Sequence, residues 1–212
     1  MSDPLAQSRE TYRHGDLRAA LVNAGVEMAR IGGPDAIVLR EATRSAGVSP
    51  NAAYRHFADR QALLIVVSAT AQGLVANAMY AARSAVTDSG DAVADARARL
   101  RAVGTGYLTF ARTEPGLFRA AFTVPDNLAR SGDPSKAGDA GFTPYQVLSV
   151  TLDELVEVGV LPPERRPNAE LLAWASVHGL GMLVIDGPLR GLTDQMIDGS
   201  ISRLLDMVDR GL

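Results

Sequence analysis

A chain of 212 residues can bury roughly 70% of its unfolded surface in a core of its own, and with no cysteine it has neither disulfides nor thiolate chemistry. Hydrophobic residues make up 47% and charged ones 21%, with many alanines and no sustained β-branched alternation, so an all-α fold of one or two domains is expected. The net charge of −3 on its face argues against a nucleic-acid binder, but residues 1–60 hold eight Arg against seven acids and residues 61–212 thirteen basic residues against seventeen acids. No signal-like leader opens the chain and no apolar run reads as long enough to cross a membrane, so a cytoplasmic protein without a membrane partner is expected.

Residues 1–11 are polar and unpatterned and read as a disordered arm. Tyr12 to His14 are placed either to touch backbone phosphate or merely to lead into a helix. From Leu17 the apolar set Leu17, Ala20, Leu21, Ala24, Met28 and Ile31 follows helical spacing, with Asp16 as N-cap and Gly32–Gly33 as the stop.

Leu39 to Phe57, LREATRSAGVSPNAAYRHF, holds two short helical patterns around a turn. Gly47 stands where a left-handed residue ends the first, Val48 supplies an apolar plug, Ser49 is placed to cap the second, and Pro50 takes its first position. Ala53 and Phe57, four apart, turn inward, which leaves Asn51, Arg55 and His56 on a polar face. By spacing alone this is either a helix-turn-helix or a plain αα-corner.

The residues AGVSP followed by YRHF resemble the DNA-binding head of the tetracycline-repressor (TetR) family, and the likeness runs from Tyr12 to Leu64. Ala42 departs from the family pattern where a larger aliphatic is usual, and Arg60 where a lysine is usual. The resemblance implies a three-helix DNA-binding domain over 12–58 and a body over 59–212 for effector binding and dimerisation. It makes double-stranded DNA with a palindromic operator, a small-molecule effector and a second copy of the chain the expected partners. By side-chain reach, Ser49, Tyr54, His56 and Arg60 are candidate phosphate contacts, Asn51 reads adenine and Ala52 meets a thymine methyl; Arg40, Pro50 and Arg55 complete the candidate face.

Beyond Phe57, Asp59 caps a long helix whose stripe of Leu63, Leu64, Val67, Ala71, Leu74, Val75 and Ala78 continues to about Arg83, a lever from head to body. Gly73 inside it implies a kink or a close contact. A second helix runs from Asp91 or Asp95 to Arg112, where Gly104 and Gly106 read as close packing or as a cavity floor, and a short one carries Phe118 and Phe122. Pro125 to Gly141 is the longest irregular stretch and reads as a mobile flap that could gate a ligand. Thr143–Pro144 opens the next helix, which continues to Gly159.

Asn168 caps a helix, ELLAWASVHGLGMLVIDG, apolar on nearly every face, and Thr193 to Arg210 forms the last, amphipathic one. An apolar surface all round a helix needs a partner, so Leu171, Val177, Leu180, Val184, Ile197, Ile201, Leu204, Leu205 and Val208 are candidate dimer residues. Trp174 with His178–Gly179 resembles the WHG-type body of one branch of the family. Tyr107, Phe110, Phe118, Phe122, Trp174, His178 and Met182 are candidate effector contacts as well as ordinary core.

His14, His56 and His178 lack the short spacing of a helical metal site and there is no G-x-S-x-G elbow, so no metal, cofactor or catalytic residue is expected. The expected function is that of a repressor released from its operator by an apolar effector. The rival readings are a helical adaptor without DNA binding and, behind it, a small helical enzyme.

Overall fold

The computed structural model describes residues 14–212, so the arm over 1–11 and Tyr12 lie outside it. Among the described residues there are nine α-helices and no strand. The first three are α1 (His14–Gly32), α2 (Leu39–Ser45) and α3 (Pro50–Tyr54), with a single 3-10 turn at Pro34–Ala36 between the first two. Since α1 already runs at His14, Asp16 lies inside its first turn rather than capping it. The buried stripe of α1 is Leu21, Val22, Gly25, Val26 and Ala29, one position round from the expected set. Ile31, expected on it, is 88% exposed because the helix runs out past its support.

The long helix α4 (Arg60–Ser84) begins where the Asp59 carboxylate accepts the Ala62 amide at 2.8 Å. Its stripe buries Leu63, Leu64, Val67, Ala71 and Val75, each large side chain stabilising the fold by roughly 1.5–3 kcal/mol. At 25 residues α4 is long and apolar enough to cross a membrane, which corrects the sequence expectation. Half of that apolar window is buried, because α1, α5, α6 and α7 pack around α4 as the central helix. Gly73 is a contact and not a kink: a Cβ there would stand 2.7 Å from the carbonyl of Ala137.

Helix α5 (Ala92–Thr113) starts at Asp91, whose carboxylate takes the amides of Val93 and Ala94. Asp95, the other candidate start, is buried one turn in and accepts the Ser89 hydroxyl at 2.7 Å. Gly106 lets α5 lie against α4, where a Cβ would meet the Ala78 carbonyl at 2.6 Å. Gly104 is covered by the Leu205 side chain. Both glycines are packing positions, and Gly104 also borders a cavity.

Helix α6 (Pro115–Thr123) is followed not by a structureless flap but by two 3-10 turns, Leu128–Arg130 and Pro134–Lys136. Lys136, 6% exposed, holds this segment from inside by pairing with Asp126 and donating to the Arg130 carbonyl at 2.8 Å. Asn77 on α4 takes it from outside through the Asp139 amide and carboxylate. Helix α7 (Pro144–Glu157) opens with a capping box between Thr143 and Gln146.

Helix α8 (Ala169–Ile185) starts at Asn168 with a left-handed backbone, φ 63°, and its side chain makes no cap, contrary to the expectation, while the Ala169 amide turns back to the Arg166 carbonyl at 3.1 Å. Helix α9 (Asp194–Gly211) is capped by the Thr193 hydroxyl. Its acids do not face solvent alone. Asp194 and Asp198 bind Arg112, Asp206 binds Arg101, and Asp209 binds Arg97, so α9 is riveted along α5 on either side of the Gly104–Leu205 contact.

Candidate nucleic-acid face and effector cavity

The turn between α2 and α3 is set by hydrogen bonds. The Val48 amide reaches back to the Thr43 carbonyl at 3.0 Å and the Gly47 amide to Arg44 at 3.2 Å, with Gly47 at φ 67°. This closing pair at a helix end needs a left-handed residue, and no atom stands within 4 Å of where a Cβ would sit on Gly47, so backbone conformation and not crowding selects glycine. Pro50 then starts α3, and Ala53 and Phe57, both buried, pin it to the head, with Arg18 lying over the Phe57 ring at 5.3 Å.

Pinning one face presents the other. Ser49, Pro50, Asn51, Tyr54 and Arg55 are exposed, and Ala52 and His56 are half-buried beside them. The Ser49 hydroxyl caps nothing, contrary to the expected N-cap. Among the described residues neither Arg40 nor Arg55 meets a carboxylate, while Arg44 is paired with Glu41. Arg60 is employed differently from the expectation. Its Nε donates to the Ile37 carbonyl at 2.8 Å and its Nη2 to that of Pro34 at 2.7 Å, which staples α4 to the 3-10 turn below α1.

In the body, α4, α5, α6, α7, α8 and α9 and the segment after α6 line a partly open cavity of about 620 Å³. Met79, Leu100, Val103, Leu148, Val177, Leu205 and Val208 give it an apolar wall. On one side Trp174 Nε1 donates to the Tyr107 hydroxyl at 3.0 Å, and that hydroxyl meets His178 Nδ1 at 2.8 Å. Phe118 and Phe122 stand against the trio at ring separations of 5.0 to 6.0 Å. Burial pushes the Tyr107 phenol far up and the His178 imidazole down, so the trio is uncharged at neutral pH.

A family model for the tetracyclin repressor-like C-terminal domain matches residues 100–208, just over half of the chain. The chain belongs to the TetR family. A protein of unknown function from Rhodococcus sp. RHA1 is similar over 96% of this chain and 98% of its own, at 26% identity and a TM-score of 0.69. A TetR-family transcription regulator from Marinobacter aquaeolei VT8 is 23% identical over 90% of this chain and 94% of its own, with a TM-score of 0.58. Another from Pectobacterium atrosepticum is 17% identical over 94% and 93%, with a TM-score of 0.63. These last two bear on the fold alone. Among curated proteins none matches.

The TetR body redistributes the candidate residues. Tyr107, Phe122, Trp174 and His178 line the cavity. Phe118 is fully buried behind Tyr107, Phe110 is buried, and Met182 packs on the core, so none of these three reaches the cavity surface. Of the candidate dimer residues, Val177, Ile197, Leu205 and Val208 are buried inside the chain itself, and Val177, Leu205 and Val208 also border the cavity together with Leu171. Leu180, Val184, Ile201 and Leu204 are half-buried against that same core. The large apolar side chains left exposed on α8 and α9 are Leu171, Leu172, Trp174, Leu183, Met196 and Met207.

The exposure of Leu172 and Leu183 was not legible, since an all-apolar helix does not announce which face its own core uses, and Met207 lies off the apolar stripe of α9. Sequence reasoning also missed Leu100, Val103 and Leu148 as cavity lining, because these positions read as ordinary stripe residues.

Proposed function

We propose that the protein is a dimeric, sequence-specific DNA-binding transcription regulator, a repressor that leaves a palindromic operator when a small, largely apolar effector fills the cavity. The observation that supports it is the coexistence of two opposed surfaces in one chain. The head turns Asn51, Tyr54 and Arg55 outward with no partner among the described residues, and the body holds a partly open, largely apolar cavity of about 620 Å³.

In this reading α3 enters the major groove, where Asn51 makes a paired hydrogen bond to an adenine edge and Ala52 contacts a thymine methyl. Ser49, Tyr54 and His56 hold phosphate, with Arg40 and Arg55, which meet no carboxylate among the described residues, as cations. Arg60 acts indirectly, by holding the head on α4. Two chains meet through the exposed apolar faces of α8 and α9 and set two heads about one turn of DNA apart, ~34–36 Å. An effector shifts them only if it fits the spacing that misses the operator better than the one that fits, and a coupling of ~1–3 kcal/mol lowers operator affinity about 5–150-fold.

Selection of bound duplexes from a random pool, followed by a gel-shift titration with the enriched site, tests this reading. Enrichment of an inverted repeat is expected, with Asn51→Ala losing ~1–3 kcal/mol on that site and little on random DNA. A pool that stays random after repeated rounds rejects the reading.

A further inference from the structure

Trp174 Nε1–H can only donate, so the Tyr107 oxygen accepts from it and keeps one proton to give. Tyr107 is 2% exposed, and the acceptor that stands within reach of that proton is His178 Nδ1 at 2.8 Å. Were Nδ1 to carry a proton, the buried phenol would have no acceptor, which is costly. The chain of donors therefore fixes His178 in the tautomer with its proton on Nε2. Among the described residues nothing accepts from Nε2, and His178 lines the cavity.

The charged groups of the wall are already matched. Arg101 is bound to Asp206 and to the Ser202 hydroxyl, and Lys136 to Asp126 and the Arg130 carbonyl. The wall thus has no cation waiting for a carboxylate. Tyr145, Ser131, Asn127 and Gln72 also border the space, but a hydroxyl rotates to give or accept, an amide offers both groups, and the Gln72 amide nitrogen is already given to the Ala121 carbonyl at 2.9 Å. His178 is the polar group whose direction is dictated.

Resting on the reading of this cavity as the effector site, we infer that the effector is a neutral, largely apolar molecule with a carbonyl-type oxygen that accepts a hydrogen bond from His178 Nε2. A carboxylate of the same skeleton is rejected, because it would lose its hydration and find one neutral donor. A plain hydrocarbon fits the walls but leaves the Nε2 proton unmet.

The test uses the full-length protein and two matched series, 2-acetylnaphthalene, 2-ethylnaphthalene and 2-naphthoate, and decan-2-one, decane and decanoate. Quenching of the single tryptophan, Trp174, which lines the cavity, reports binding, with calorimetry as a second readout. The ketone in a series is expected to bind about three- to tenfold tighter than the hydrocarbon, the carboxylate weakest. His178→Leu should erase the preference while the hydrocarbon still binds, and His178→Gln, which can donate again, should restore part of it.

Nitrogen-15 spectra of the wild-type imidazoles supply a readout independent of any variant, and the Nε2–H pattern is expected for His178. Binding without a ketone preference, a preference for the carboxylate, or an Nδ1–H pattern overturns the inference and leaves the cavity reading standing. If neither skeleton moves Trp174 emission or gives heat, the cavity reading falls and the inference with it.

Discussion

The head and the body put their polar chemistry on opposite sides of the same helical packing. In the head, Ala53 and Phe57 are spent on anchoring, so Asn51, Tyr54 and Arg55 stand in solvent without partners among the described residues. In the body, Trp174 and His178 satisfy the Tyr107 hydroxyl beside a partly open cavity, and the His178 Nε2 proton alone of the trio is left to a ligand. A surface that reads a partner needs many unbonded groups on a rigid mount, whereas a largely apolar cavity satisfies most of its polar groups internally and leaves few to orient a ligand.

The sharpest way to break this comparison is to charge a buried residue and, separately, two exposed ones on either side of the dimer assignment. Leu205→Glu puts a carboxylate under Gly104 in a site 5% exposed, and should cost at least about 3 kcal/mol and unfold much of the protein. Leu172→Glu with Met207→Glu, at side chains 65% and 57% exposed, should leave helicity intact and shift sedimentation from dimer to monomer. A folded Leu205→Glu protein, or a double variant that remains dimeric, would show that the two faces have been exchanged.

The junction between the regions comes next. Gly116 on α6 lies so close under the Ala29 and Arg30 carbonyls that a side chain must part α6 from α1. Gly116→Val should destabilise by about 3 kcal/mol in urea denaturation. A loss within 0.5 kcal/mol, the range of ordinary surface substitutions, would mean that head and body are not packed as described.

A smaller effect separates two arginines that look alike in the sequence. Arg60→Ala removes two bonds to the Pro34 and Ile37 carbonyls and should lower stability by about 1–3 kcal/mol. Arg55→Ala should leave stability unchanged, weaken all duplexes alike and flatten the salt dependence of binding by about one counterion. Reversal of these two outcomes in melting and filter-binding measurements would return Arg60 to the phosphate backbone.

The head was legible because its geometry is local. Gly47 and Pro50 fix the turn within four residues of each other, although Ser49 does not cap as its place suggests, and Ala53 and Phe57 fix the facing of α3. Element positions in the body were legible for the same reason, with Asp59, Asp91, Thr143 and Thr193 all accepting amides at the starts of their helices.

The employment of body residues was not legible. Gly104 meets Leu205 and Arg60 meets Pro34 across gaps in sequence that no periodicity reports. Lys136 was invisible as an anchor, since a lysine in a Pro- and Gly-rich stretch reads as a solvated loop residue until Asp126 and the Arg130 carbonyl are placed beside it.

The smallest expected effect concerns pH, and it isolates the body from the head. Burial depresses the His178 imidazole below its ordinary value of 6.5, so the folded protein holds that proton less tightly than the unfolded chain. Where the unfolded chain binds more protons, stability rises with pH. The His178 contribution is therefore fully present above about pH 6.5 and is lost as pH falls from there through the folded value. The other two histidines, His14 and His56, lie in the head, so the comparison is the difference between wild type and His178→Phe and not the raw profile. Melting temperatures between pH 8 and pH 5 should fall more for wild type than for His178→Phe, with the gap opening below about pH 6.5. Parallel curves for the two proteins would mean that the ring titrates as freely as one in water, and the closed hydrogen-bonded trio of the body would not survive that result.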